Sequence, residues 1–196
     1  MRHDLTLSGF GFGLRPVEEK DAEFIVEIRT ADPERTRFLH PIPPDAQAQR
    51  EWIARYLQRE NDYYWVVQRL DNGQSEGVIG IYDINPTVPT AEWGRWVLRH
   101  SSLAAPESAL LVYRAAFELI KLESIYCMTV ADNKPVVSFH DSCGLRREGT
   151  LKEHFKLGEK SFDAVKHVLD RKDWQTIRDR LSPIAQMTSR RIHKNR

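Results

Sequence analysis

The segment from Trp96 to Leu145 constrains the fold more than any other, because strand-like and helix-like patterns alternate along it. A run of aromatic and branched residues at 93–98 predicts a strand. Pro106 then stands at the first turn of a helix. Apolar residues are so dense in this helix that we expect it to be buried on much of its circumference. A strand at 124–131 and a short helix that ends at Gly144 follow.

The turn between the strand and the helix has the character of an anion site. A strand, a tight turn and a helix N-terminus direct free N–H groups and the positive end of the helix dipole at one point. Ser101, Ser102 and Ala104 are small enough to let phosphate oxygens approach the backbone, and Arg99 adds charge. The segment from Arg99 to Ala105 therefore predicts a site for a phosphorylated cofactor.

The rest of the chain predicts a sheet built mainly from hairpins. Alternating patterns between turn signals predict strands at 10–14, 63–69, 77–84, 90–98, 146–155 and 161–169. Strands joined by tight turns are antiparallel, whereas the strand at 124–131 follows a helix and can lie parallel to the 90–98 strand. The prediction is a single α/β (α+β) domain with a mixed, mostly antiparallel sheet of six or seven strands and about four helices.

Length and charge set the domain organisation. One domain accounts for 196 residues. We place it at 1–183, with a core at 10–174 and a final short helix at 173–181. The segment 184–196 is a basic C-terminal tail, which we interpret as solvated. Lys and Arg number 29 against 28 Asp and Glu, so the overall charge gives no reason to expect a nucleic-acid partner.

Several features favour a cytoplasmic protein without a membrane or metal partner. No apolar run approaches the ~20 residues that span a bilayer, and the N-terminal residues contain no apolar signal-peptide region. The two cysteines, Cys127 and Cys143, are too few for a disulfide framework. The seven histidines do not show metal-ligand spacing, so no metal site is expected.

Two motifs resemble the GCN5-related N-acetyltransferase (GNAT) superfamily, and within it the branch that includes ribosomal-protein and small-molecule acetyltransferases (RimJ/RimL-like). The pyrophosphate turn of that family reads Gln or Arg, two residues, Gly, one residue, then Gly or Ala. The run Arg99-His100-Ser101-Ser102-Leu103-Ala104 is similar, with Ser102 in place of the central Gly. A second family signature, Asn followed by a helix that ends in Gly-Phe, is similar to Asn133 through Gly144-Leu145. The resemblance covers Phe10 to Trp174.

The resemblance implies an acetyl-CoA or other acyl-CoA co-substrate. It also implies a splayed pair of parallel strands, 90–98 and 124–131, with a notch for the pantetheine arm. A backbone N–H of residues 96–98 would stabilise the oxyanion. The residues implied in binding the co-substrate are Trp96, Val97, Leu98, Arg99, Ser101, Ser102, Ala104, Ala105, Asn133 and Ser138. Asn133 is at the same time a suitable N-cap for its helix.

Glu92 is the candidate general base. An amine must lose a proton before it attacks a thioester. Strand alternation predicts one face with Glu92, Gly94, Trp96 and Leu98 and the other with Trp93, Arg95 and Val97. A carboxylate among such aromatic residues is partly desolvated, which raises its pKa. The alternative is a structural ion pair between Glu92 and Arg95 or another arginine near the sheet surface.

His140 stands where the family often has a proton-donating Tyr, so the resemblance implies that it is the general acid. The alternative is a surface histidine paired with Asp141 or with solvent. Phe38 and His40, in a proline-rich loop at 33–44, and Trp93 are candidates for contact with the acceptor. Phe38 and His40 are alternatively core residues beneath that loop.

The function implied is direct acyl transfer from acyl-CoA to a primary amine. A protein N-terminus, an antibiotic or polyamine, and a nucleotide-linked amino sugar are the competing acceptors. The run Ser138-Phe139-His140 resembles acyltransferases that act on nucleotide-linked amino sugars, which favours a small-molecule acceptor. A non-catalytic acyl-CoA-binding module is the alternative of a different class, and a homodimer stays open.

Overall fold

The computed structural model of this chain describes residues 3–194, with side chains as far as Ile192, so the tail residue Arg196 and the side chain of Lys194 lie outside the described residues. The strands are β1 Leu7–Ser8, β2 Phe12–Pro16, β3 Tyr63–Arg69, β4 Ser75–Asn85, β5 Thr90–Leu98, β6 Ser124–Val130, β7 Arg146–Leu157 and β8 Lys160–Asp170. The helices are α1 Ala22–Thr30, α2 Pro33–Thr36, α3 Ala46–Tyr56, α4 Ala105–Arg114, α5 Lys134–Cys143 and α6 Trp174–Lys194. A π-helical turn, Ala115–Leu119, continues α4.

All eight strands form one sheet in the order β1-β2-β3-β4-β5-β6-β8-β7. β5 and β6 are parallel, and the other neighbours are antiparallel. This confirms the predicted mixed sheet and the parallel placement of the strand that follows α4. The pairing of β5 with β6 extends only from Thr90 opposite Ser124 to Glu92 opposite Tyr126. Beyond Glu92 the two strands separate, which is the splay implied by the family resemblance.

Helices cover the sheet on both faces. Alternate residues of β3 and β4 divide between two hydrophobic clusters, as the period of a strand requires. The larger cluster contains Trp65, Ile79 and Ile81 with residues of α4 and α6. The smaller one contains Tyr64, Val66 and Val78 with residues of α1 and α3. Every residue of α4 from Glu107 to Tyr113 is buried, which confirms the prediction of a helix buried around most of its circumference.

The sheet has one strand more than predicted, because the two-residue β1 pairs with β2 through Leu7 and Leu14. It lies in a segment that the sequence places before the core. The buried Glu107 of α4 fixes the turn between these strands, since its Oε1 accepts the N–H groups of Phe10, Gly11 and Phe12. A distant carboxylate therefore orders an N-terminal segment that has little strand pattern of its own.

The helices number six in the described residues, against about four predicted. The short α2 lies in the loop predicted to be irregular and begins where the Asp32 side chain accepts the N–H groups of Glu34 and Arg35 (3.1 and 3.2 Å). The last helix was predicted to end at Leu181, and this is wrong, because α6 continues through Pro183 to Lys194. Within the described residues, no helix has the length and apolar character needed to cross a membrane.

Candidate active site

Beyond Glu92, the gap between β5 and β6 opens into two adjoining cavities. The turn cavity, of about 520 Å³, extends to the turn after β5 and includes residues 96–100 and Ala105. The sheet cavity, of about 270 Å³, lies against the sheet at Glu92 and Trp93. Both are lined by Phe38, Leu39, Trp96, Asn133 and Val136, which form a shared wall. Two bound molecules can therefore meet where the strands separate.

The turn between β5 and α4 leaves backbone N–H groups free. Ser101 has a φ of 59°, in the left-handed region, so this residue, not Ser102, makes the sharp reversal. The Ser102 hydroxyl accepts the N–H of Ala104 at 3.3 Å. The hydrogen bonds of the described residues leave the N–H groups of residues 100, 101 and 103 without an acceptor. With the N-terminus of α4 beside them, these groups are suited to bind a phosphate.

Arg99, the positive charge predicted for this turn, lines the turn cavity, but its charge is paired. Arg99 forms an ion pair with Glu27 of α1, with N–O distances of 2.7 and 3.2 Å. Arg35 of α2 also lines the turn cavity and donates to the carbonyl of Leu98 at 3.3 Å. No carboxylate of a described residue lies within ion-pair distance of Arg35. Its charge is available to a ligand, whereas that of Arg99 is already compensated.

Other predicted co-substrate residues are divided between the cavity and the surface. Val97 and Leu98 line the turn cavity. Ala104 is fully buried at the start of α4. Asn133 precedes α5, yet its side chain makes no capping hydrogen bond, so its amide is free at the shared wall. Ser138 is exposed and lines neither cavity.

A β-bulge in β5 determines which side chains reach the cavities. Val97 is opposite Val78 and Gly94 is opposite Gly80, so two residues of β5 face one of β4. Arg95, within the bulge, has a φ of 49°. The predicted alternation is therefore wrong beyond Gly94, and Trp96 packs with Trp93, with 5.7 Å between ring centroids.

Side chains, and not a glycine, hold the bulge in place. Two guanidinium nitrogens of Arg95 bind the two carboxylate oxygens of Asp62, one of them at 2.9 Å. The guanidinium also lies 4.4 Å from the ring centroid of Tyr82 and 5.4 Å from that of Tyr64. The partner of Arg95 is thus Asp62, and the alternative of a structural pair between Arg95 and Glu92 is not what the structure shows.

Glu92 is half-buried and lines the sheet cavity. The Tyr82 hydroxyl donates to its Oε1 at 3.1 Å. Burial raises the pKa of Glu92, and the hydrogen bond from Tyr82 and the charge of Arg95 partly oppose that increase. A carboxylate of raised pKa beside a cavity is a suitable proton acceptor.

His140 lines the sheet cavity with only 2% of its surface exposed, so it is not the surface histidine considered as an alternative. Its ring centroid lies 5.2 Å from that of Trp93 and 5.3 Å from that of His167. Burial and then the neighbouring His167 lower the pKa of His140 to about 3. Asp141 binds Arg147 and His167 instead. His140 is consequently neutral at pH 7 and has a buried Nδ1 without a hydrogen-bond partner.

The predicted acceptor residues lie together at the sheet cavity. Phe38, His40 and Trp93 all line it. His40 is exposed, and Phe38 is half-buried with its ring edge-on to Phe162 at 6.0 Å, so neither fills the core beneath the loop. Arg29 lines the same cavity and was missed, because a single arginine in the last turn of a helix is not a motif.

The two cysteines are buried and unpaired with each other. Cys127 lines the sheet cavity, and burial raises its pKa. Burial also raises the pKa of Cys143, to about 11. Both therefore remain thiols at neutral pH, which makes them poor nucleophiles. Among the described side chains, which end at Ile192, no cluster of three or more His, Cys, Asp or Glu forms a candidate metal site.

Comparison with known proteins agrees with this geometry. The acetyltransferase (GNAT) domain family model matches residues 12–146. The chain is similar to apo FdhC, a nucleotide-linked sugar GNAT, with 30% identity over 89% of this chain and 94% of that chain and a TM-score of 0.74. No curated protein matches the sequence significantly.

Two more distant structures share the fold. One is a GCN5-related N-acetyltransferase from Brucella melitensis, with 18% identity, coverage of 90% of this chain and 83% of that one, and a TM-score of 0.77. The other is a mutant form of the spermidine N-acetyltransferase SpeG from Vibrio cholerae, with 17% identity, coverage of 84% of this chain and 96% of that one, and a TM-score of 0.72.

The matched segment contains the splay, the turn and Glu92. The unpaired N–H groups of the turn and the gap between β5 and β6 fit a phosphorylated co-substrate with a narrow arm. The family model covers more than half of the chain, and the chain therefore belongs to the GNAT acetyltransferases, as an acyl-CoA-dependent N-acetyltransferase.

Proposed function

We propose that this enzyme transfers an acetyl group from acetyl-CoA to the primary amine of a small molecule, and that the acceptor is a nucleotide-linked amino sugar. The wall shared by the two cavities is the observation that carries this proposal. It brings a turn with free N–H groups and a carboxylate of raised pKa to opposite sides of one opening between strands.

Residues of the turn cavity and of the turn beside it would hold the co-substrate. The N–H groups of residues 100, 101 and 103 and the N-terminus of α4 would bind its pyrophosphate, with Arg35 as a further positive charge. The side-chain amide of Asn133 would form hydrogen bonds to the pantetheine arm, since it is not used in capping. Acetyl-CoA supplies a thioester carbonyl that a neutral amine can attack.

Glu92 would take the proton from the acceptor ammonium, directly or through one water molecule. Beyond Glu92, β5 has no strand partner on its β6 side, so N–H groups of residues 96–98 that point into the gap are free. One of them would donate to the carbonyl oxygen as negative charge develops there. The amine nitrogen forms the new bond to the acetyl carbon as the carbon–sulfur bond breaks, and it then gives up its second proton to solvent water. No protein nucleophile is needed.

His140 is proposed to assist as a neutral ring. With a pKa of about 3, His140 carries almost no positive charge at pH 7. A proton for the departing sulfur would then come mainly from water, and His140 would orient groups in the sheet cavity. This differs from the acid role implied by the family Tyr, and the difference follows from burial against Trp93.

The acceptor class is supported by two observations. FdhC, described as a nucleotide-linked sugar GNAT, is similar over most of both chains. The run Ser138-Phe139-His140 resembles the same group of enzymes. A protein N-terminus, an antibiotic or a polyamine is the alternative acceptor. A cytoplasmic location, a homodimer and membership of the ribosomal-protein and small-molecule branch stay predictions.

Release of coenzyme A with a panel of amines tests the proposal. The panel contains nucleotide-linked amino sugars, spermidine, an aminoglycoside and peptides with free N-termini. We expect the highest kcat/KM with a nucleotide-linked amino sugar. A higher kcat/KM with spermidine or a peptide would contradict the acceptor class. Thermal stabilisation by acetyl-CoA without coenzyme A release with any amine would support a non-catalytic binding module.

A further inference from the structure

A third cavity, which we call the outer cavity, adjoins the sheet cavity. It has a volume of about 420 Å³ and lies between the end of α1, the segment 33–42 and the tip of the β7–β8 hairpin. Arg29, Leu39, His40 and Leu157 line both cavities. A molecule with one end at Glu92 can therefore extend into the outer cavity.

The lining of the outer cavity is basic. Arg29, Arg37 and His40 contribute to it, and none of its lining residues carries a carboxylate. Arg37 is exposed at the rim, with Glu34 at 3.5 Å, and its guanidinium lies 4.5 Å from the ring centroid of Phe38. Such a lining favours an anionic group and disfavours a polycation.

Arg29 differs from the other partly buried arginines near it. Arg15 forms an ion pair with Asp21 at 2.6 Å, and Arg95 forms one with Asp62. Arg29 donates to the carbonyl of His40, and no carboxylate of a described residue lies within ion-pair distance of it. Burial lowers its pKa, which means that its charge is desolvated without a compensating anion. Such a charge is costly unless an anion binds there.

We infer that the outer cavity binds a phosphate group of the acceptor, with Arg29 as the main contact and Arg37 and His40 at the rim. This inference rests on the proposed function, because it assigns the acceptor to phosphate-bearing amines. The amino group lies at Glu92 in the sheet cavity, and the phosphate lies across Leu39 and Leu157. A guanidinium binds phosphate oxygens through two parallel hydrogen bonds, which suits Arg29 better than a lysine at this position.

The test is calorimetric binding of UDP and of inorganic pyrophosphate to the protein saturated with acetyl-CoA, so that the turn cavity is occupied. We expect UDP to bind to the wild type. Arg29→Gln should weaken UDP binding by about tenfold to a hundredfold, since a charge-assisted hydrogen bond is lost. Arg178→Gln is the matched control, because Arg178 pairs with Glu118 and lines none of the three cavities. Pyrophosphate that binds as tightly as UDP shows that the phosphates alone are recognised, and tighter UDP binding shows a nucleoside contribution.

Arg37→Gln is a second variant that does not endanger folding, because Arg37 is exposed. We expect this variant to weaken UDP binding by a few-fold. Added salt should also weaken UDP binding to the wild type. Absence of binding by both probes, or equal UDP affinity in the wild type, Arg29→Gln and Arg37→Gln, would overturn the inference.

The failure of this inference is distinguishable from that of the proposed function. If UDP binding depends on Arg29 but no amine is acetylated, the anion site stands and the proposed function fails. If amines are acetylated, and Arg29→Gln changes the KM of phosphate-bearing and phosphate-free acceptors equally, transfer stands and the outer cavity is not a phosphate site.

Discussion

Replacing Tyr82 by Phe should raise the pH below which the enzyme loses activity. The Tyr82 hydroxyl donates to Glu92 at 3.1 Å and stabilises the carboxylate. A hydrogen bond to a charged group contributes about 1.5–3 kcal/mol, and one pKa unit corresponds to about 1.36 kcal/mol. Because Glu92 is only half-buried, the lower end of that range applies, and the pKa of Glu92 should increase by about one unit. A base must be deprotonated to act, so the acidic limb of kcat/KM should move up by about one pH unit.

The assay is kcat/KM from coenzyme A release between pH 5 and 9 for the wild type and the variants. Tyr126→Phe is the matched control, since Tyr126 is opposite Glu92 on β6 but makes no hydrogen bond to it. Its acidic limb should coincide with that of the wild type, and all three should reach similar plateaus at high pH. An acidic limb that stays in place in Tyr82→Phe would refute the assignment of that limb to Glu92.

Three further variants test other parts of the site. Ser102→Glu should weaken acetyl-CoA binding at least tenfold in calorimetry, because a carboxylate in the turn repels the pyrophosphate. Ser102→Ala should leave the affinity unchanged. An unchanged Kd in Ser102→Glu would contradict the placement of the pyrophosphate at this turn. His140→Phe should lower kcat about tenfold with acetyl-CoA affinity unchanged. Since the pKa of His140 is about 3, an inflection between pH 5 and 9 that disappears in this variant would contradict a neutral ring. Gly144→Ala should destabilise the fold by about 1 kcal/mol or more in urea, because Gly144 has a φ of 89° and the added Cβ lies 2.8 Å from Arg180 Nη1; an unchanged free energy of unfolding would contradict this.

The strand and hairpin patterns of the sequence predicted most of the fold. The bounds of β3 and β5 match the prediction, because aromatic and branched residues fill both strands between clear turn signals. The bulge in β5 escaped prediction, since it uses Arg95 where a glycine is the usual signal. Its stability depends on Asp62, which is 33 residues away in the sequence. Contacts of that separation have no local pattern.

The C-terminal end of α6 was predicted too early, although the sequence contains the pattern of a longer helix. A proline such as Pro183 usually ends or kinks a helix. Buried Ile177, Leu181, Ala185 and Ser189 recur at four-residue spacing across it, which is the pattern of one continuous helix face. Packing of that face therefore outweighs the hydrogen bond that proline removes.

The site was predictable where it depends on strand and turn order, and not where it depends on isolated charges. Glu92, Trp96 and Asn133 all lie at the cavities. Arg29 and Arg35 also lie at the cavities, yet nothing in the sequence distinguishes either of them from the other arginines. Only the path of the segment around α2 brings them to opposite sides of the shared wall, Arg29 to the sheet cavity and Arg35 to the turn cavity.

Direct attack with Glu92 as the base is tested most sharply by a single-turnover measurement of acetyl transfer by the wild type and Glu92→Gln. Enzyme saturated with acetyl-CoA is mixed with an accepted amine, quenched over time and examined by mass spectrometry. We expect an acetylated amine and an unmodified protein at every time point, with transfer slowed by roughly 10²–10⁴-fold in Glu92→Gln. An acetylated protein that precedes the product, or full-rate transfer by Glu92→Gln from pH 6 to 9, would contradict direct attack with Glu92 as the base.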